Sequence, residues 1–392
     1  MNWIETAISF GFWCSVFGVV YAYLGYPIVI YICSRLFGKT PIAPTIVEDK
    51  PPRVTLLIAA YNEEAVIEER IQNALKLNYP RDYLDIVIAS DGSDDATAEI
   101  CRRYANQVRL FDYRERRGKS ATLNATMAQL DTDIVVFSDA NTSMDADAIR
   151  HLTRWFADPK VGAVCGRLVL TDPETGNNVD SVYWRYETFL KRCEARLDGL
   201  LGANGAIYAI RRDLFVPLPA GTLVDDFVAP LLAKMRSKCR IVYDVEARAF
   251  EESAPDLHGE YRRRARIGTG GFQAIGILWP LLGPSYGWTA FTFWSHKILR
   301  WACPCFMIGA LLFSALLVNH NLYRGLLVAQ CVFYALCVLG SVGTTNRAMK
   351  LLRVFTMFAS MNLALLIGFI RWIGQNQDGL WSRTARAKDP CV

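Results

Sequence analysis

Residues 8–37 contain no charged side chain before Arg35, so this apolar stretch satisfies the roughly 20 residues that a bilayer-crossing helix needs. It lacks the basic start and short apolar centre of a cleaved signal peptide. Residues 40–52 are rich in proline and without period, which predicts a linker. From Val54 the pattern changes. Val54–Ala60 is an unbroken apolar run of strand length, and residues 64–77 repeat their apolar positions at helical spacing. Residues 85–89 predict a second strand, 96–104 a second helix, 134–138 a third strand and 146–156 a third helix. This alternation predicts an α/β domain whose parallel sheet is covered by helices on both faces.

Beyond Gly268 the chain turns apolar again, but residues 267–295 mix Pro280, Pro284 and glycines with Trp279, Trp288 and Trp294, which suits interfacial or re-entrant helices. Spans are predicted over 303–318, 326–342 and 354–370. The resulting organisation is an N-terminal membrane segment over 1–38, a linker over 39–52, an α/β domain over 53–266, interfacial or re-entrant helices over 267–301, membrane segments over 302–373 and a basic tail over 374–392. Arg35 and Lys39 place the end of the first span in the cytosol, and Arg347, Lys350 and Arg353 mark a second return. Counting 354–370 as a span would put Arg383, Arg386 and Lys388 outside, against the charge rule, so that segment is either re-entrant or a span has been miscounted.

Composition agrees with a membrane component: 52% of residues are hydrophobic, above ordinary soluble usage. The net charge of +5 over 392 residues is small, and its positive members sit beside apolar runs, so it does not point to nucleic acid. Eleven cysteines are present, yet most lie in apolar stretches and read as reduced, packing residues. Cys303 and Cys305 are separated by the single residue Pro304, closer than a structural zinc pair.

Ligands of open α/β sheets bind beyond the carboxyl ends of the strands. The first strand ends in Ala60-Tyr61-Asn62-Glu63, the second in Ser90-Asp91-Gly92-Ser93-Asp94-Asp95 and the third in Asp139-Ala140-Asn141. Any one acidic loop is as readily a turn or a helix cap; three in register put carboxylates on one rim. Phosphate-cradling glycine loops are absent from the pattern. The hard oxygens of Asp139 and Asn141 suit Mg²⁺ or Mn²⁺ bridging a diphosphate. Trp155 and the Tyr183-Trp184-Arg185-Tyr186 stretch read as packing aromatics, and His296, beside Lys297, Arg300 and Trp301, as a membrane-interface element.

With these motifs in place, residues 53–273 resemble the family-two inverting glycosyltransferases, the group of the cellulose, chitin, hyaluronan and poly-N-acetylglucosamine synthases. The resemblance implies a GT-A-like domain flanked by transmembrane and interfacial helices. It implies that Ala60, Tyr61, Asn62, Glu63, Asp91 and Lys119 of Gly118-Lys119 bind the nucleotide-sugar, and that Asp139 and Asn141 stand at the family's Asp-x-Asp metal position. Gly202-Ala203-Asn204-Gly205-Ala206 is similar to the loop under the acceptor sugar, which implies acceptor roles for Asn204, Gly205 and Asp225. Val224-Asp225-Asp226 stands where the family has Thr-Glu-Asp, implying that Asp226 is the general base. Inverting transfer needs one such carboxylate, whereas glycoside hydrolysis needs a pair, and adjacent Asp225 and Asp226 would point apart on a strand or loop.

Arg263-Arg264-Ala265-Arg266-Ile267 takes the place of the Gln-x-x-Arg-Trp of processive members, so Arg266 and Arg263 are the expected diphosphate clamps. The same arginines also read as a basic collar before an interfacial helix. The expected partners are a UDP-sugar, a polysaccharide or lipid acceptor and the bilayer, in the plasma (inner) membrane with the catalytic domain in the cytosol; an accessory export subunit is left open. The competing readings are a ceramide or polyprenyl-phosphate type of glycolipid synthase and a non-catalytic membrane scaffold or export subunit.

Overall fold

The computed structural model describes residues 2–45, 50–171, 182–252, 257–342 and 347–374. In chain order the elements are α1 (Trp3–Val20), α2 (Tyr26–Leu36), β1 (Val54–Ala60), α3 (Ile67–Leu75), β2 (Leu84–Asp91), α4 (Thr97–Arg103), β3 (Arg109–Tyr113), α5 (Lys119–Met127), β4 (Ile134–Asp139), β5 (Ser143–Met144) and α6 (Ala148–Thr153). They continue with β6 (Val161–Thr171), α7 (Val182–Arg196), β7 (Tyr208–Arg211), α8 (Asp225–Ser237), β8 (Arg240–Glu252), α9 (Leu257–Leu278), α10 (Trp288–Thr292), α11 (Leu299–Leu316), α12 (Asn321–Val342) and α13 (Arg347–Ile373). Two compact units divide them: one holds residues 30–259 with 273–292, the other α1, residues 260–272 and the helices from 293 onward.

In the sheet unit the eight strands run in the order β3-β2-β1-β4-β7-β6-β8-β5. The first four are mutually parallel, as the alternating pattern predicts, and β1, buried along its whole length, is paired on both edges. The second half departs from an all-parallel sheet: β7 is antiparallel to both β4 and β6, and β5 is antiparallel to β8. Apolar period reports that a strand is buried, not which way it runs, so this reversal is invisible in the pattern. Trp155 is 7% exposed in the core and donates its indole N–H to Asp244, while Trp184 packs against the same cluster.

Among the described residues, four helices are long and apolar enough to cross a membrane: Trp3–Leu36, Trp288–Leu316, Asn321–Gly340 and Phe355–Ile373. The first joins α1 to α2 through a π-turn at Tyr21–Gly25. The second begins at Trp288, well before the expected 303, because α10 runs through a π-turn at Phe293–Ile298 into α11. His296 and Arg300 conceal that continuity in the sequence, yet both are buried: His296 stacks on Tyr26 with ring centroids 5.5 Å apart, and Arg300 lies over the Tyr23 ring. α13 is one unbroken helix over Arg347–Ile373; Arg383, Arg386 and Lys388 lie outside the described residues. Ten cysteines among the described residues are free thiols, and Cys303 is buried while Cys305 is exposed.

Candidate active site

The carboxyl ends of the parallel strands bring three loops together. After β1, Asn62 adopts a left-handed φ of 54°, a conformation that asparagine tolerates better than most residues. Its side chain exchanges two hydrogen bonds with Asp94, donating to the carboxylate and accepting from the backbone N–H. Asp95 accepts the backbone N–H groups of Glu64 and Thr97. Asp94 and Asp95 therefore act as turn and cap residues that fasten the β1 and β2 loops. Glu63 donates its backbone N–H to Thr97 Oγ1 at 2.8 Å, and Tyr61 carries the Arg116 guanidinium 3.8 Å from its ring centroid. Ala60 is the buried last residue of β1.

Asp91 ends β2 and is 1% exposed. Its oxygens accept the N–H groups of Arg117 and Gly118, each at 2.9 Å, and the Thr122 hydroxyl at 2.7 Å. A buried carboxylate bonded in this way holds the start of α5 in place. Gly118, with φ 87°, makes the turn immediately before Lys119. The Lys119 ammonium reaches Asp139 Oδ1 at 2.8 Å and Asp225 Oδ1 at 3.2 Å. Burial draws its pKa down, but Asp139 and Asp225 outweigh that and the ammonium is held above the ordinary lysine range.

Asp225 and Asp226 are not on a strand or loop: they form the first turn of α8, where the helix dipole favours negative charge. Asp225 is 5% exposed. Asp226 Oδ2 accepts the Gly205 N–H at 2.9 Å. A Cβ placed on Gly205 would lie 3.3 Å from Asp139 Oδ2 and 3.5 Å from Asp226 Oδ2, so the two carboxylates converge on the space above that glycine. Burial first, and then Asp225, push the Asp226 carboxyl above its ordinary range against the opposing pull of Lys119. A raised carboxyl is the stronger base once ionised.

Hard carboxylate oxygens around a position kept open by glycine fit a divalent cation. Asn141 donates its amide to Glu251 Oε1 at 2.7 Å, so the Asp139-Ala140-Asn141 corner includes a second carboxylate that the local sequence did not reveal. Three further residues were missed. Lys191 donates to Asn204 Oδ1 and acts on the charge of Asp226. Arg116 covers Tyr61. Arg70 is 2% exposed, donates to Ser138 Oγ beside Asp139, and is drawn down to about 10 by burial. Asn204 is itself tied to Gly166 O at 2.6 Å. Arg263 and Arg266 belong to the other compact unit, so their role rests on the sequence.

Residues 55–216 match the glycosyl transferase family 2 profile. A poly-beta-1,6-N-acetyl-D-glucosamine synthase of Staphylococcus aureus is 29% identical over 274 residues, covering 66% of this chain and 64% of the relative. A probable glycosyltransferase of Bacillus subtilis is 31% identical over 123 residues, 30% of this chain and 29% of that protein. Among solved structures, a mannosyltransferase from Pyrobaculum calidifontis, determined with GDP-Man and Mn²⁺, superposes with a TM-score of 0.71 at 21% identity over 93% of this chain and 99% of that one. A sheet of this topology, a carboxylate-rimmed site at its strand ends and the family match together show that the chain carries a glycosyltransferase family 2 domain of GT-A-like fold.

Proposed function

We propose that the chain is a membrane-embedded inverting glycosyltransferase that moves a sugar from a UDP-sugar onto a growing polysaccharide or lipid-linked acceptor. The observation that carries this reading is the convergence of Asp139 Oδ2 and Asp226 Oδ2 on the space above Gly205. Asp226 takes the proton of the acceptor hydroxyl as its oxygen attacks the anomeric carbon. The bond from that carbon to the diphosphate breaks on the opposite side, and the configuration inverts. Asp139 with Asn141 would hold Mg²⁺ or Mn²⁺, which when bound neutralises charge on the departing diphosphate. Ala60, Tyr61, Asn62, Glu63, Asp91 and Lys119 form the donor side, with Arg263 and Arg266 as diphosphate clamps. Asn204, Gly205 and Asp225 form the acceptor side. The catalytic domain spans 53–266 and faces the cytosol from the plasma membrane.

The polymer reading is supported by the Staphylococcus aureus relatives, of whose length this chain matches 64%. Single-sugar transfer is favoured by Arg263-Arg264-Ala265-Arg266-Ile267, which lacks the glutamine and tryptophan of processive relatives. Incubating the purified chain in lipid nanodiscs with radiolabelled UDP-N-acetylglucosamine and other UDP- and GDP-sugars separates them: a ladder means polymer, one shifted lipid spot means a glycolipid. Asp226→Asn should abolish turnover while donor binding survives; full turnover by that variant would remove Asp226 as the base.

A further inference from the structure

A proline inside a helix has no N–H for the carbonyl four residues earlier. In α8 that proline is Pro230, and the carbonyl belongs to Asp226. The Asp226 carbonyl accepts a different donor, the Ala203 N–H at 2.9 Å, while its carboxylate Oδ2 accepts the Gly205 N–H, also at 2.9 Å. Loop residues 203 and 205 therefore grip one aspartate at both its backbone and its side chain. Gly202 makes the approach feasible. Its φ is 73°, and a Cβ there would fall 2.8 Å from Phe227 Cα and 3.3 Å from Asp226 O, so a side chain would force the loop off the helix.

We propose that Pro230 is a positioning residue for the reaction: by withholding an N–H it leaves the Asp226 carbonyl to Ala203, and so fixes the Gly202–Gly205 loop against the base. The proposal rests on the reading of Asp226 as base and of this loop as the acceptor floor. An alanine at 230 supplies the missing donor, the helix closes on its own carbonyl, and the loop loses one of its two anchors. Because the other anchor remains, the site survives but its geometry loosens.

The test uses the full chain in lipid nanodiscs, with the nucleotide-sugar that the wild type turns over. Pro230→Ala should lower kcat about tenfold, leave the donor KM within about twofold, and leave Tm equal or higher, since alanine suits a helix interior better than proline. Amide exchange at Ala203 should speed up about tenfold in the same variant. An ester at position 230 carrying the methyl side chain of alanine, which lacks the N–H, should restore both kcat and Ala203 protection. Equal loss in the alanine and ester variants would mean that the proline ring acts by packing, and unchanged kcat and exchange in Pro230→Ala would mean no positioning at all; either result overturns the proposal. Full turnover by Asp226→Asn would sink the base reading instead, and the Ala203 exchange result would still report whether the latch exists.

Discussion

The Lys119 ammonium lies 2.8 Å from Asp139 Oδ1, joining the first residue of α5 to the last residue of β4. Asp225, 3.2 Å away on the other side, completes a carboxylate–ammonium–carboxylate bridge. That bridge holds two carboxylates together, and the charge of Asp226 also acts on the same ammonium.

Lys119→Met removes the charge and keeps the stem. Turnover should fall on the order of 100-fold, since a cation preorganised beside developing phosphate charge supplies several kcal/mol to the transition state. Nucleotide release from membranes measures it. A loss under about threefold would separate Lys119 from the chemistry.

The acid limb of the rate profile follows from Asp226. Burial and Asp225 raise its carboxyl, and a base works only when deprotonated, so activity is lost as pH falls through that raised value. The limb in kcat should stand above the ordinary carboxylate range near about 4. Lys119 opposes the rise, so Lys119→Met should move the limb to still higher pH. A limb at the ordinary carboxylate value in both proteins would contradict the assignment.

Asn141→Asp makes the corner more negative and sets a carboxylate where the amide now donates to Glu251 Oε1 at 2.7 Å. Like charges so close repel until a divalent cation separates them. The variant should therefore bind Mn²⁺ more tightly, reaching half-maximal activity at roughly tenfold lower metal concentration. Adding Glu251→Gln should remove much of that gain. A metal titration indistinguishable from wild type would place this corner away from the cation.

Asp91→Ala tests whether that carboxylate mainly positions α5 or contacts the nucleotide. It leaves the N–H groups of Arg117 and Gly118 and the Thr122 hydroxyl without their acceptor, at a cost of about 3 kcal/mol. The melting temperature should fall by roughly 5–10 °C, and the lost alignment of Lys119 should lower kcat as well. An unchanged Tm with a raised donor KM alone would assign Asp91 to direct nucleotide contact.

Much of this site was legible in the chain. The parallel strands β1, β2 and β4 are runs of mostly buried residues that give way to polar ones, so Asp91 and Asp139 could be placed at strand ends by pattern, and Gly118-Lys119 and Val224-Asp225-Asp226 by resemblance. In the acidic loop after β2, Asp94 and Asp95 read as readily as turn or cap residues, and that is how they serve, tying two loops together.

The sequence alone determined the burial of β1, β2 and β4, the apolar stretches and the residue types on the rim, because these depend on side-chain period and polarity within a short window. Tertiary structure decided the reversed strand β7, the meeting of Asn141 with Glu251 across 110 positions and the closure of the Gly202–Gly205 loop on Asp226. Those features depend on strand order, on left-handed turns at Asn62, Gly118 and Gly202, and on which carbonyl lacks a donor in its own helix. Such relations become definite only when distant segments are packed against one another.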